Sequence, residues 1–87
     1  MPRERWPEWW AWELELSAHL LKRMADRGFT ELELRGMLEA AIGPRRDIAP
    51  GRWIIRCRFR RRSWDVVVAP DAETQQLVVV TAYHVRT

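Results

Sequence analysis

The sequence predicts an α+β domain in which two N-terminal helices pack on a twisted antiparallel sheet, in the order β-α-α-β-β-β. Three observations carry that prediction. Residues 12–17 and 52–60 alternate apolar and polar side chains with the period of two that marks a half-buried strand. Between them, AHLLKRMADR and ELELRGMLEA space their apolar residues three and four apart, as helices do. The C-terminal third is filled by the valine runs of WDVVVAP and LVVVTAYHV.

Eighty-seven residues suffice for one domain, 1–87, with a Trp-rich arm over 1–11 and the core over 12–87. A chain of this length hides roughly 60–65% of the surface its unfolded form exposes, enough for one modest core. With 47% hydrophobic and 31% charged residues, it has the composition of an ordinary folded soluble protein. No apolar run approaches the roughly 18 residues needed to cross a bilayer. The first fifteen residues interleave Trp with Arg and Glu where a signal peptide would be apolar, so the cytoplasm is the expected location. Cys57 is the single cysteine, which leaves no intrachain disulfide and no thiolate metal cluster.

In order along the chain, MPRERWPEWW is too broken by prolines for a helix and reads as an arm whose indoles pack on the body or on a partner. Trp12, Leu14 and Leu16 then alternate with Glu13 and Glu15 as a first strand, with helix as the competing reading because Glu and Leu are good helix formers. Ser17 is a credible N-cap and Gly28 a left-handed C-cap for a helix over 18–27. Its apolar side carries Leu20, Leu21 and Met24, and its polar side His19, Lys22, Arg23 and Asp26. Thr30 and Glu33 have capping-box spacing for a second helix over about 31–42, with an apolar stripe of Leu34, Met37, Leu38, Ala41 and Ile42 and a stop at Gly43-Pro44. RRDIAPG reads as a loop to the sheet.

Residues 52–60 place Trp53, Ile55, Cys57 and Phe59 on one face and Ile54, Arg56, Arg58 and Arg60 on the other. Arg61, Arg62 and Ser63 are expected to make a tight connection to WDVVVAP, whose continuous valines suit a central strand. Pro70-Asp71-Ala72-Glu73 is turn chemistry, and residues 77–85 form the last strand.

Charge is uneven along this order. Residues 1–50 carry eight basic and nine acidic side chains, net −1, whereas residues 51–87 carry seven basic and three acidic, net +4. RWIIRCRFRRRSW alone holds six arginines in thirteen positions and no acid. A row of Arg56, Arg58 and Arg60 continuing into Arg61 and Arg62 would match the spaced phosphates of a nucleic acid. The competing reading is a strand face kept soluble and resistant to aggregation by arginine. Trp53 and Trp64 flank the row and read as core pieces rather than platforms for bases.

His19 and His84 are the only side chains with an ordinary pKa near neutrality, which makes them the default proton-transfer candidates. His19 shares a helix face with Arg23, whereas Thr81 and Tyr83 share a face of the last strand opposite His84. A solvent-facing His84 and a locally hydrogen-bonded His19 are the structural alternatives. The carboxylates of ELELRGMLE read as a solvated helix face. No H-x-x-x-H, C-x-x-C or glycine-rich loop is present, so neither a metal nor a nucleotide cofactor is expected.

LSAHLLKRMADRGFTELEL, GRWIIRCRFRRRSWDVVVAP and LVVVTAYHVRT together resemble a bacterial family of small uncharacterised domains with a His-x3-Arg-Met-x2-Arg-Gly signature, here His19, Arg23, Met24, Arg27 and Gly28. The resemblance covers residues 12–86, and that family is grouped with RelE-like toxins and the barnase and colicin-type ribonuclease fold. It implies metal-independent RNA cleavage, in which the 2′-OH attacks its own phosphate with help from a base, an acid and cations. The matching positions are His19, Arg23, Thr81 and Tyr83, with the arginine row Arg56, Arg58, Arg60, Arg61 and Arg62 holding RNA and an antitoxin covering the same surface.

Two functions are therefore expected in competition. The first is a toxin-type ribonuclease in which His19 carries the proton, Arg23 stabilises the phosphate, and Thr81 and Tyr83 add polar contacts; it requires these groups to converge. The second is a non-catalytic module that binds RNA or a protein through the arginine row and the Trp-rich arm. Trp6, Trp9 and Trp10 are expected to cover a bare sheet face or to form a homodimer contact.

Overall fold

The computed structural model describes residues 7–85. A 3₁₀ turn, Glu8–Ala11, precedes β1 (Glu13–Leu16), α1 (Ala18–Arg27), α2 (Glu31–Glu39), β2 (Gly43–Arg46), β3 (Trp53–Phe59), β4 (Arg62–Asp71) and β5 (Gln76–His84). The architecture is α+β, with two helices on one five-stranded sheet of order β1-β5-β4-β3-β2. Strands β2 to β5 pair antiparallel with their neighbours, whereas β1 runs parallel to β5. The sheet is thus mixed rather than antiparallel throughout. Two helices and three strands separate β1 from β5 along the chain, and a pair not joined by a hairpin is free to run parallel.

Helix α1 has the bounds its caps dictate. The Ser17 hydroxyl accepts from the Leu20 N–H at 3.0 Å and donates to the Val80 carbonyl at 2.7 Å, so one side chain starts the helix and fastens it to β5. Gly28 closes α1 at φ 72°, a left-handed conformation that costs glycine nothing. Leu20 and Met24 are buried beneath the helix, but Leu21, expected beside them, is 51% exposed. Leu21 sits one residue, about 100°, round the helix from Leu20, at the margin of the apolar stripe.

The capping box of α2 is complete: the Thr30 hydroxyl accepts from the Glu33 N–H, and the Glu33 carboxylate accepts from the Thr30 N–H. That second bond, aided by the Arg60 guanidinium, holds the Glu33 carboxyl below its ordinary pKa against a smaller opposing effect of desolvation. Helix α2 ends at Glu39, short of the expected Ile42, and leaves Ile42 exposed. The sheet takes these residues instead: Ile42 N–H donates to the Arg56 carbonyl, and Gly43–Arg46 pair with β3 as an edge strand where the sequence had suggested a loop. An edge position is where a sheet tolerates Pro44.

The core lies between the helices and one sheet face. Ile55 and Cys57 of β3, Trp64, Val66 and Val68 of β4, and Leu77, Val79 and Ala82 of β5 close on Leu20, Met24, Phe29, Leu34, Met37 and Leu38. Burial, with a smaller push from Asp65, raises the Cys57 thiol to about 12, so it stays protonated and unreactive at neutral pH. Trp9 packs on Trp53 at 5.5 Å and on Trp10 at 6.2 Å between ring centroids. These indoles extend the helix-side core rather than cover the opposite face; Trp6 lies outside the described residues. Trp64 is a core residue, whereas Trp53 is half-buried beneath Trp9 and the Arg46 guanidinium.

Strands β3 and β4 are joined at Arg60-Arg61, one residue earlier than expected, and Arg62 already belongs to β4. Both turn residues have positive φ, 54° and 66°, the handedness that a two-residue hairpin needs.

Two outcomes test this packing. Ser17→Ala removes a cap and a tertiary hydrogen bond and is expected to cost about 1–3 kcal/mol in urea unfolding. Cys57 is expected to resist thiol reagents in native protein at neutral pH and to label at once in denaturant; equal labelling rates would contradict its burial.

Candidate nucleic-acid interface

Pairing register decides what shares the open face of the sheet, the side away from the helices. Across it Arg56 faces Asp65, and Asp65 faces Tyr83; in the adjoining row Arg45, Ile54, Val67 and Thr81 follow one another across four strands. Arg58 faces Ser63 in the row on the other side. Directly opposed residues in such rows bring their Cβ atoms to about 5 Å. The row of Arg56 and Arg58 that alternation predicts therefore exists, and Tyr83 and Thr81 stand across β4 from it.

At its centre is Asp65, only 4% exposed and the one buried charged residue among those described. Arg56 Nε donates to its Oδ1 at 2.6 Å, and Arg45 donates to its Oδ2 at 3.2 Å. The hydrogen bond and the charge of Asp65 raise the Arg56 pKa further above its already high ordinary value. Burying a carboxylate is tolerated only when it is paired, and the two guanidinium groups meet that condition here. Three arginines against one aspartate leave this end of the open face cationic. Glu13 and Glu15 of β1, exposed on the same face, make the far edge acidic.

The arginine row does not continue in a line. Arg60 and Arg61 occupy the hairpin turn, and Arg60 folds toward α2, 2.9 Å from the Glu33 carboxylate and stacked over Phe59. Arg62 takes the helix-side alternation of Trp64 and Val66. The run thus divides at the turn, with Arg56 and Arg58 on the open face and Arg60 and Arg62 beyond it.

The remaining proposed residues stand elsewhere. His19 is exposed on α1 and makes no side-chain hydrogen bond with the described residues, and Arg23 forms only a 3.8 Å ion pair with Asp26 on the same helix. Helix α1 covers the face that holds Ala82, whereas Thr81 and Tyr83 alternate to the other face. The sheet itself therefore lies between His19 and the Arg56–Asp65–Tyr83 row, and the four residues His19, Arg23, Thr81 and Tyr83 do not converge. His84 is on the helix side, where its ring meets Trp64 edge-on at 5.3 Å. Asp65 and Arg45 are the functional candidates that sequence reasoning missed. A lone carboxylate at the head of a valine run was the available signal, since a charge there needs a partner on the next strand.

Among the described residues, no helix is long and apolar enough to cross a membrane, and no group of three or more His, Cys, Asp and Glu is placed to hold a metal ion. No curated protein and no solved structure gives a significant match to the chain. One family model matches residues 16–84, from the end of β1 to the end of β5, and leaves the tryptophan arm outside. The chain belongs to that family, described as a domain of unknown function (DUF4258).

Proposed function

We propose that this chain is a cytoplasmic RNA-binding protein whose phosphate-contacting surface is the cationic end of the open sheet face. The observation that carries the reading is the placement of Arg45, Arg56 and Arg58 on one exposed face, with the only carboxylate between them already bound by two of them. A carboxylate held in this way repels a phosphate weakly, while it fixes the planes of the guanidiniums that would receive one. Tyr83, 37% exposed in the same row, offers a ring for a base and a hydroxyl for a phosphate or ribose oxygen.

A second reading, metal-independent RNA cleavage of the RelE-like toxin type, is favoured by the polar row Arg56–Asp65–Tyr83 itself, which an ordinary solvated strand face does not need. In that reaction the 2′-hydroxyl gives its proton to solvent as its oxygen attacks the adjacent phosphorus, and the bond to the 5′-oxygen breaks. The products are a 2′,3′-cyclic phosphate and a 5′-oxygen that takes a proton from solvent to become a hydroxyl. Arg56 and Arg45 would stabilise the charge gathering on the phosphoryl oxygens, Tyr83 and Thr81 would orient the ribose, and Asp65 would hold both guanidiniums in place. His19 and Arg23 take no part, because the sheet separates them from this row. An antitoxin segment covering the open face is the partner that this second reading brings with it.

Single-stranded RNA titrated at two salt concentrations tests the binding claim. Each phosphate contact contributes about 0.7 to the slope of log K against log salt for single strands, so Arg58→Ala is expected to weaken binding and reduce the slope by about that amount. An unchanged affinity in Arg58→Ala and Arg56→Ala together would remove the open face as the binding surface. Cleavage of labelled RNA in EDTA separates the two readings: activity lost in Arg56→Ala and kept in His19→Ala supports cleavage on the face, and activity lost in His19→Ala overturns it. Asp65→Asn is expected to destabilise the fold by about 1–3 kcal/mol, because it weakens two charge-assisted hydrogen bonds, while it tightens RNA binding at low salt.

A further inference from the structure

The arginines that leave the open face line a second site. An open cleft on the helix side is walled by Arg27, Phe59, Arg60, Arg62, Trp64 and His84. Its arginines come from two places in the chain, the last residue of α1 and the β3–β4 hairpin. Arg27 is anchored by donating to the Ala82 carbonyl, and Arg60 is held by Phe59 and Glu33. Arg62 is exposed and makes no hydrogen bond or ion pair with the described residues. Trp64 is 6% exposed, and its buried Nε1–H has no acceptor among the described residues. Among the described residues Glu33 is the only carboxylate bonded to any of these arginines, so the three guanidiniums keep a surplus of two positive charges.

We propose that this cleft binds a phosphate monoester, and specifically the terminal phosphate of an RNA strand held on the open face. A monoester carries about −1.5 to −2 at neutral pH, which matches the surplus, whereas a backbone diester carries a single charge. Preformed guanidiniums favour the planar oxygen pairs of a phosphate. Arg58 lies before the hairpin turn and Arg62 after it, so a strand crossing the open face reaches the cleft by rounding Arg61. The identity of the phosphate's carrier rests on the RNA reading above, but the site itself does not.

The test is calorimetric titration of the full chain with one RNA hexamer in three forms, unphosphorylated, 5′-phosphorylated and 3′-phosphorylated, beside inorganic phosphate followed by the indole N–H resonances. Trp64→Phe identifies the Trp64 resonance. One phosphorylated hexamer is expected to bind at least about tenfold tighter than the plain one, and the gain is expected to vanish in Arg62→Ala and persist in Arg58→Ala. Inorganic phosphate is expected to move the Trp64 resonance in wild type and not in Arg62→Ala. Equal affinities for all three hexamers with an unmoved Trp64 resonance would overturn the proposal, as would a gain that survives Arg62→Ala and is lost in Arg58→Ala. If no hexamer binds while phosphate still moves Trp64 in an Arg62-dependent way, the RNA reading falls and the monoester site stands.

Discussion

The Asp65 carboxylate is the constraint around which the open face is organised. It is buried on β4, and it is bonded from β3 by Arg56 and from the edge strand β2 by Arg45. One charge therefore ties three strands, and it explains why a four-residue strand containing Pro44 holds its place at the edge. Arg45 remains half exposed, so the pair is solvated on one side and its contribution lies below that of a fully buried bridge. What the arrangement supplies is geometry: two guanidiniums fixed side by side on an exposed face.

From that constraint the distribution of charge follows. The open face is a gradient, acidic at β1 through Glu13 and Glu15 and basic toward β3 and β2. On the helix side, Arg60 and Arg62 gather where the β3–β4 hairpin folds over, beside Arg27 at the end of α1. A run of arginines that looks continuous in sequence is two surfaces in space, because alternation and a two-residue turn send successive side chains to different sides. Holding Arg60 and Arg61 in left-handed conformations costs energy that Asn-Gly would avoid, and such strain is commonly kept where side chains at a turn have work to do.

Local chemistry made much of the fold legible. Ser17 and Gly28 gave both ends of α1, Thr30 and Glu33 gave the start of α2, and alternation separated Ile55 and Cys57 from Arg56 and Arg58. The failures are nonlocal. Strand β2 has no alternation of its own and exists because β3 offers it an edge; the parallel pairing of β1 depends on a strand some sixty residues away. Asp65 stands out as a carboxylate at the head of a valine run, but it belongs to the next strand, and only register brings it opposite Arg56. Helix periodicity placed His19 on a polar side, but which sheet face α1 covers is a property of the whole packing.

The proposed RNA surface lies beside Asp65, on the side of the sheet away from His19. Mapping amide chemical-shift changes during titration with single-stranded RNA tests it most directly. Changes are expected to concentrate at Arg45, Ile54, Arg56, Arg58, Thr81 and Tyr83, with the exposed side of α1 around His19 and Arg23 unmoved. Changes centred on His19 and Arg23, with the Arg56–Asp65–Tyr83 row silent, would contradict it.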